Sequence, residues 1–148
     1  MDKNGKIKLT VSATIKAPIS LVWKKWTCPE DIVNWNSASD YWHTPMAEND
    51  LRVGGSFRSR LEARDGSMGF DFEGTYEKVE SHELIEYEIA DGRKVSIVFK
   101  NHGIETEVVE TFEAEGVDSV ELQQAGWQLI MDNFKKYAEQ NVNQESLI

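Results

Sequence analysis

Apolar and polar residues alternate without a break from Lys6 to Ile15. Ile7, Leu9, Val11, Ala13 and Ile15 fall on one side, and Lys6, Lys8, Thr10, Ser12 and Thr14 on the other. A period of two residues is that of a strand with one buried face. The same period returns over residues 56–113. Phe57, Ser59 and Leu61 oppose Arg58, Arg60 and Glu62, and Phe70, Phe72, Gly74 and Tyr76 oppose Asp71, Glu73, Thr75 and Glu77. Ile85, Tyr87 and Ile89 oppose Glu86 and Glu88, and Val95, Ile97 and Phe99 oppose Lys94, Ser96 and Lys100. Thr106, Val108, Glu110 and Phe112 oppose Glu105, Glu107, Val109 and Thr111. Asp65-Gly66 and Asp91-Gly92 are two-residue hairpin signals, Asn101-His102-Gly103 a three-residue one and Ser81-His82-Glu83 a weaker turn. They predict a meander of five strands over 56–64, 67–79, 84–90, 93–100 and 104–113, charged on one face and apolar and aromatic on the other.

Elsewhere the period lengthens. Ile19, Val22, Trp23 and Trp26 follow helical spacing, with Pro18 suited to the first turn. Thr27-Cys28-Pro29-Glu30 reads as a capping box, Thr27 the cap and Glu30 reaching back, opening a second short helix that buries Ile32, Val33 and Trp35. Residues 37–43 read as a loop, Thr44 towards Leu51 as a strand, and Gly54-Gly55 as a sharp bend. The spacing of Leu122, Trp127, Ile130, Met131, Phe134, Tyr137 and Ala138 predicts a long helix over 120–139, capped by Asp118 or Ser119. Gly126 lies inside it, as a tolerated glycine or as a point of close approach.

The sum is an α+β domain over 1–140: a curved, seven-stranded antiparallel sheet, two short helices and a long C-terminal helix packed across it, with 141–148 as a disordered tail. A long twisted sheet curls. A straight rod inside it touches along one line and leaves a gap elsewhere, where a ligand can sit. The 148 residues suffice for one core. A net charge of −10 argues against nucleic acid and anionic membrane as partners. One cysteine excludes an internal disulfide, and MDKNGKIKLT has no signal-peptide run, so a cytoplasmic protein is expected.

The order of elements resembles the helix-grip fold of the START and birch-pollen-allergen superfamily, SRPBCC. Within it the chain is most similar to the domain named after the activator of heat-shock protein 90 ATPase. The residues that carry this are Ala17-Pro18 with Val22-Trp23, then Thr27 and Pro29-Glu30 with Trp35. Asp50 to Phe57, the strand containing Gly74, and Gly126-Trp127 with the helix to Tyr137 carry it further. The resemblance implies an internal cavity of the kind that in this superfamily takes lipids, sterols, polyketides or flavonoids. Some members are polyketide cyclases, and the eukaryotic co-chaperone carries the domain as part of a longer protein.

No nucleophile-elbow, Walker, dinucleotide or zinc signature is present, so neither cofactor nor metal is expected. His43, His82 and His102 lack metal-ligand spacing. His82 and His102 read as turn residues, and His43, beside Tyr41 and Trp42 near the expected cavity mouth, as a ligand contact. Cys28 has no base nearby and reads as a turn or buried residue. Glu110 is the one charged group that alternation puts on the apolar face. Inside, it needs a proton or a partner such as Arg52, Tyr87 or a ligand hydroxyl; a bulge would return it to solvent. If inside, it is a polar anchor or a general acid/base. The candidate ligand contacts are Trp35, Trp42, His43, Phe57, Phe70, Phe72, Tyr87, Phe99, Glu110, Phe112, Trp127, Met131 and Phe134, with Trp26 also considered and Trp127 and Phe134 foremost on the lid.

The expectation is binding without catalysis of a small hydrophobic or aromatic molecule, lipid, polyketide or flavonoid-like, by a monomer or weak dimer. One alternative is a co-chaperone-type module that stimulates a heat-shock protein 90 ATPase. The other is a cyclase- or hydrolase-type enzyme using Glu110.

Overall fold

A computed structural model describes residues 7–145, with side chains to residue 140. The elements run β1 (Lys8–Ile15), α1 (Ile19–Thr27), α2 (Pro29–Trp35), β2 (Trp42–Asn49), β3 (Ser56–Ala63) and β4 (Gly69–Glu80). They continue with β5 (Leu84–Ile89), β6 (Lys94–Asn101), β7 (Thr106–Glu113) and α3 (Val120–Glu145). The strands form one antiparallel sheet in the order β1-β7-β6-β5-β4-β3-β2, curled into a half-barrel. This is the helix-grip arrangement, α+β in class. The last strand lies against the first, with register from Lys8↔Glu113 to Ile15↔Thr106. Helix α3 runs on past Glu139 to Glu145, so helical backbone occupies most of the expected tail, and residues 146–148 lie outside the described residues.

Alternation placed the inward rows well. Val11, Ile15, Ile85, Val95, Ile97, Val108 and Phe112 are all buried. Gly74 falls in the aromatic inward row of β4 because a Cβ there would meet the Phe57 ring at 2.9 Å and the Glu88 carbonyl oxygen. The glycine lets Phe57 lie across its neighbour strand.

Four local readings are corrected. Thr27 does not cap α2: its hydroxyl donates to the Trp23 carbonyl at 2.8 Å and closes α1. Cys28 alone ends one helix and starts the next, with no side-chain cap bond, so a four-residue box has no room. The two Asp-Gly hairpins are longer than two residues. Ala63 N–H bonds the Met68 carbonyl at 2.9 Å, and Ile89 N–H bonds the Arg93 carbonyl at 2.8 Å. The Asp65 and Asp91 carboxylates accept from the backbone N–H of Ser67 and Arg93 at 2.8 and 3.1 Å, and these Asx turns close the larger loops. The strand predicted from Thr44 begins at Trp42, which takes His43 out of the loop. Leu122, placed on the buried stripe of α3, is exposed; Ser119 Oγ accepts from its N–H at 3.1 Å and is the cap.

The C-terminal half of α3 packs solidly. Met131, Phe134 and Ala138 are fully enclosed, and the Phe134 ring meets Trp26 and Trp35 edge-on at 4.8 and 4.9 Å. Burying a side chain such as Met131 or Phe134 contributes about 1.5–3 kcal/mol. A buried polar knot locks the three helices there. Asp31 of α2 accepts from the Tyr137 hydroxyl of α3 at 2.6 Å and lies 3.4 Å from Lys25 Nζ of α1. Burial first, and then the bond to Asp31, push the Tyr137 phenol up to about 12.

The free edge of β1 is covered by polar side chains of α3. Gln124 and Gln128 donate to the Thr10 and Ser12 carbonyls at 3.0 Å each, and Lys135 donates to the Thr14 carbonyl at 2.8 Å. Glu139 accepts from Lys16 N–H at 2.8 Å. Helix residues 124–139 rise about 22 Å and strand residues 10–16 about 20 Å, so the two rows keep pace. Unpaired strand edges recruit other chains, and this ladder satisfies one. At the other edge, β2 carries Pro45 and an irregularity between His43 and Met46.

Candidate ligand cavity between the sheet and helix α3

Under the N-terminal half of α3 the side chains leave a cavity of about 480 Å³. The helix presents Gln123, Gly126, Trp127 and Ile130 to it, with Leu122 at its border. Gly126 has no protein atom within 4 Å of where a Cβ would stand, so it is not there for a close backbone approach. The sheet supplies Phe57, Ser59 and Leu61 from β3, Phe70, Phe72 and Tyr76 from β4, and Tyr87 from β5. Trp26, Trp35 and Trp42 close the side towards α1, α2 and β2. The Trp127 indole is stacked parallel on Phe112, centroids 3.9 Å apart, which fixes it at the wall.

Glu110 sits on β7 between Val11 of β1 and Ile97 of β6, and it is buried. The strand carries it inward without a bulge, so the inside alternative holds. Its expected partner Arg52 is instead bonded to Asp50 in an exposed loop. Among the described residues no group hydrogen-bonds the Glu110 carboxyl. Burial lifts its pKa to about 8, so the neutral acid predominates at pH 7. The Tyr87 phenol is held well above its ordinary value by burial and then by Glu110. Its hydroxyl, like that of Ser59, has no hydrogen-bond partner among the described residues. Tyr76 is satisfied: it donates to Asn49 Oδ1, and Asn49 Nδ2 donates to the Thr27 carbonyl at 2.6 Å.

Of the residues singled out in the sequence, the fold brings Trp35, Trp42, Phe57, Phe70, Phe72, Tyr87, Glu110 and Trp127 to the cavity wall. Phe99, Met131 and Phe134 are core under the solid half of the helix, and Phe112 lies behind Trp127. His43 faces Glu62, with Nε2 3.9 Å from Oε1, because the strand starts two residues early. Ser59, Asn49, Arg93 and Gln123 line the cavity and were missed. Alternation had put Ser59 on the inward row, whereas no periodic signal marks Arg93 in its turn.

A helix-grip sheet with a cavity under its terminal helix defines the class. The family model described as Activator of Hsp90 ATPase homolog 1-like protein matches residues 16–139, and the chain belongs to that family. The solution structure of an AHSA1-like protein from Aeromonas hydrophila is 44% identical, with a TM-score of 0.86 over 91% of this chain and 94% of that one. A solved protein from Cytophaga hutchinsonii is 50% identical, with a TM-score of 0.79 over 92% and 94%. A Nitrosomonas europaea protein at 17% identity shares the fold, with a TM-score of 0.80 over 97% and 99%. None of the curated proteins matches the chain. Among the described residues no helix is long and apolar enough to cross a membrane, and no group of three or more His, Cys, Asp or Glu is placed to hold a metal ion.

Proposed function

We propose that the protein binds a small, mostly apolar molecule with one hydrogen-bonding end in the cavity between the sheet and α3, and holds it rather than converts it. The observation that carries this is Glu110 with Tyr87: two buried polar groups, without hydrogen-bond partners among the described residues, set in an aromatic wall. Both groups reach the cavity space, and a ligand group between them would gain hydrogen bonds typically worth about 0.5–1.5 kcal/mol each. The volume supports the reading, since small-molecule sites span about 300–1,000 Å³. The wall holds neither Cys nor His, and of the two roles open to an inward Glu110 this reading takes the polar anchor.

The test is a titration of ¹⁵N-labelled protein with a library of small apolar compounds. The expected result is saturable shifts of the Trp127 indole and the Gly126 amide. Shifts confined to the outer sheet face, at residues such as Glu73 and Glu86, would overturn it. The family description favours a second reading, a chaperone-binding module. Addition of purified Hsp90 to the same sample separates the two, because that reading requires shifts on the outer surface.

A further inference from the structure

We infer that the molecule this cavity selects is a cationic amine on an apolar or aromatic body, with its ammonium group held by Glu110. The inference rests on the ligand-binding reading above and names the head group.

The charged and titratable groups at the wall are acids with one exception, Arg93. Glu110 comes from β7, Tyr76 and Tyr87 from β4 and β5, Glu48 from β2, and Glu115 and Asp118 from the segment before α3. Arg93, in the turn before β6, is the one cation among the lining residues, and its Nε is already bonded to the Asp91 carboxylate at 2.8 and 3.1 Å. Helix α3 brings no charge to the wall, and the cross-strand neighbours of Glu110 are Val11 and Ile97. An anionic head would therefore meet Glu110 in a wall that is acidic on balance, where the charge of Arg93, felt at Tyr87, is offset by Asp91. A neutral head would leave the carboxyl in its protonated form.

An ammonium finds everything it needs. Ionised Glu110 is its counter-ion, the Tyr87 oxygen is an acceptor, and the rings of Phe72 and Trp127 offer cation–π contacts. The acidic rim draws cations from solution. The proton balance is simple: the ammonium enters with all its protons, Glu110 gives up its carboxyl proton, and that proton leaves to solvent. Burial raises Glu110 to about 8, so amine binding at pH 7 should release close to one proton.

The experiment uses three probes with one body, phenylbutylamine, phenylbutanol and phenylbutyrate. Each is titrated calorimetrically into the full chain, with the Trp127 indole resonance as the marker of site. At about pH 9 the amine should bind at least about tenfold more tightly than the alcohol, and the phenylbutyrate least. The amine should weaken by up to about tenfold for each pH unit below 8. At pH 7, titration in two buffers of different ionisation enthalpy should show proton release with the amine and none with the alcohol. Glu110→Gln should bind amine and alcohol alike and lose the pH slope. The two-buffer measurement needs no variant, so it stands even where Glu110→Gln folds poorly. If all three probes move Trp127 but the alcohol or phenylbutyrate matches or exceeds the amine, the amine inference falls and the cavity reading stands. If no probe binds, both fall.

Discussion

Trp127 and Phe134 lie seven residues apart on one line of α3, two turns of the same face. Phe134 is fully enclosed, with Trp26 and Trp35 edge-on against it. Trp127 is half-buried, stacked on Phe112 with Phe72 edge-on at 6.2 Å, and borders the cavity. The helix is equally aromatic at both points, so the helix does not decide where the interior is hollow. The two short helices do. They bring two indoles under the C-terminal half, while under the other half the sheet curves away with nothing to fill the space.

The sharpest way to break this comparison is truncation on each side. Phe134→Ala should cost about 4 kcal/mol in urea unfolding, as for a core aromatic. Trp127→Ala should cost about half as much, and the reverse order would show that the hollow lies elsewhere. Next in size is Glu110. In the folded chain it holds its proton up to about pH 8, against an ordinary value of 4.5. The folded state therefore binds more protons between those values, and stability falls as pH rises through them. Relative to a flat Glu110→Gln profile, the wild-type loss should reach about 3 kcal/mol by neutral pH. A wild-type profile as flat as the variant's would mean that the carboxyl is hydrated. Gln128→Ala removes bonds to both backbone groups of Ser12 and should cost about 1–2 kcal/mol, with self-association through the bared edge visible by size-exclusion chromatography. The smallest effect is a gain. Gly126→Ala adds a methyl group where no protein atom stands within 4 Å and should raise stability by up to about 1 kcal/mol through helix propensity alone. A loss there would mean the wall is tighter than described.

The strands and the long helix were legible because each has one wet face, and period then follows from burial. Ser59 and Glu110 were legible as inward positions for the same reason. What could not be read was anything set by a partner distant in the chain. Gln124, Gln128, Lys135 and Glu139 look like an ordinary solvated helix face until β1 is laid beside them. Thr27 looked like a cap because its pattern fits, but Cys28 leaves no linker between the helices. His43 looked like a cavity residue through its aromatic neighbours, and the early start of β2 turned it towards Glu62. Phe134 belongs to the same stripe as Trp127, so only the indoles packed on it tell lid from core.

The ladder between α3 and β1 also sets the timing of folding. Its bonds join residues 114 to 123 positions apart, nearly the two ends of the chain, and β1 pairs with the last strand made. While the protein is being synthesised, the first strand has emerged from the ribosome but its neighbour and its cover have not. Closure through contacts so remote is slow, and an open edge attracts other chains. The nascent protein thus stays exposed until its final helix is released, and a ribosome stalled before residue 124 leaves a sheet that cannot seal itself.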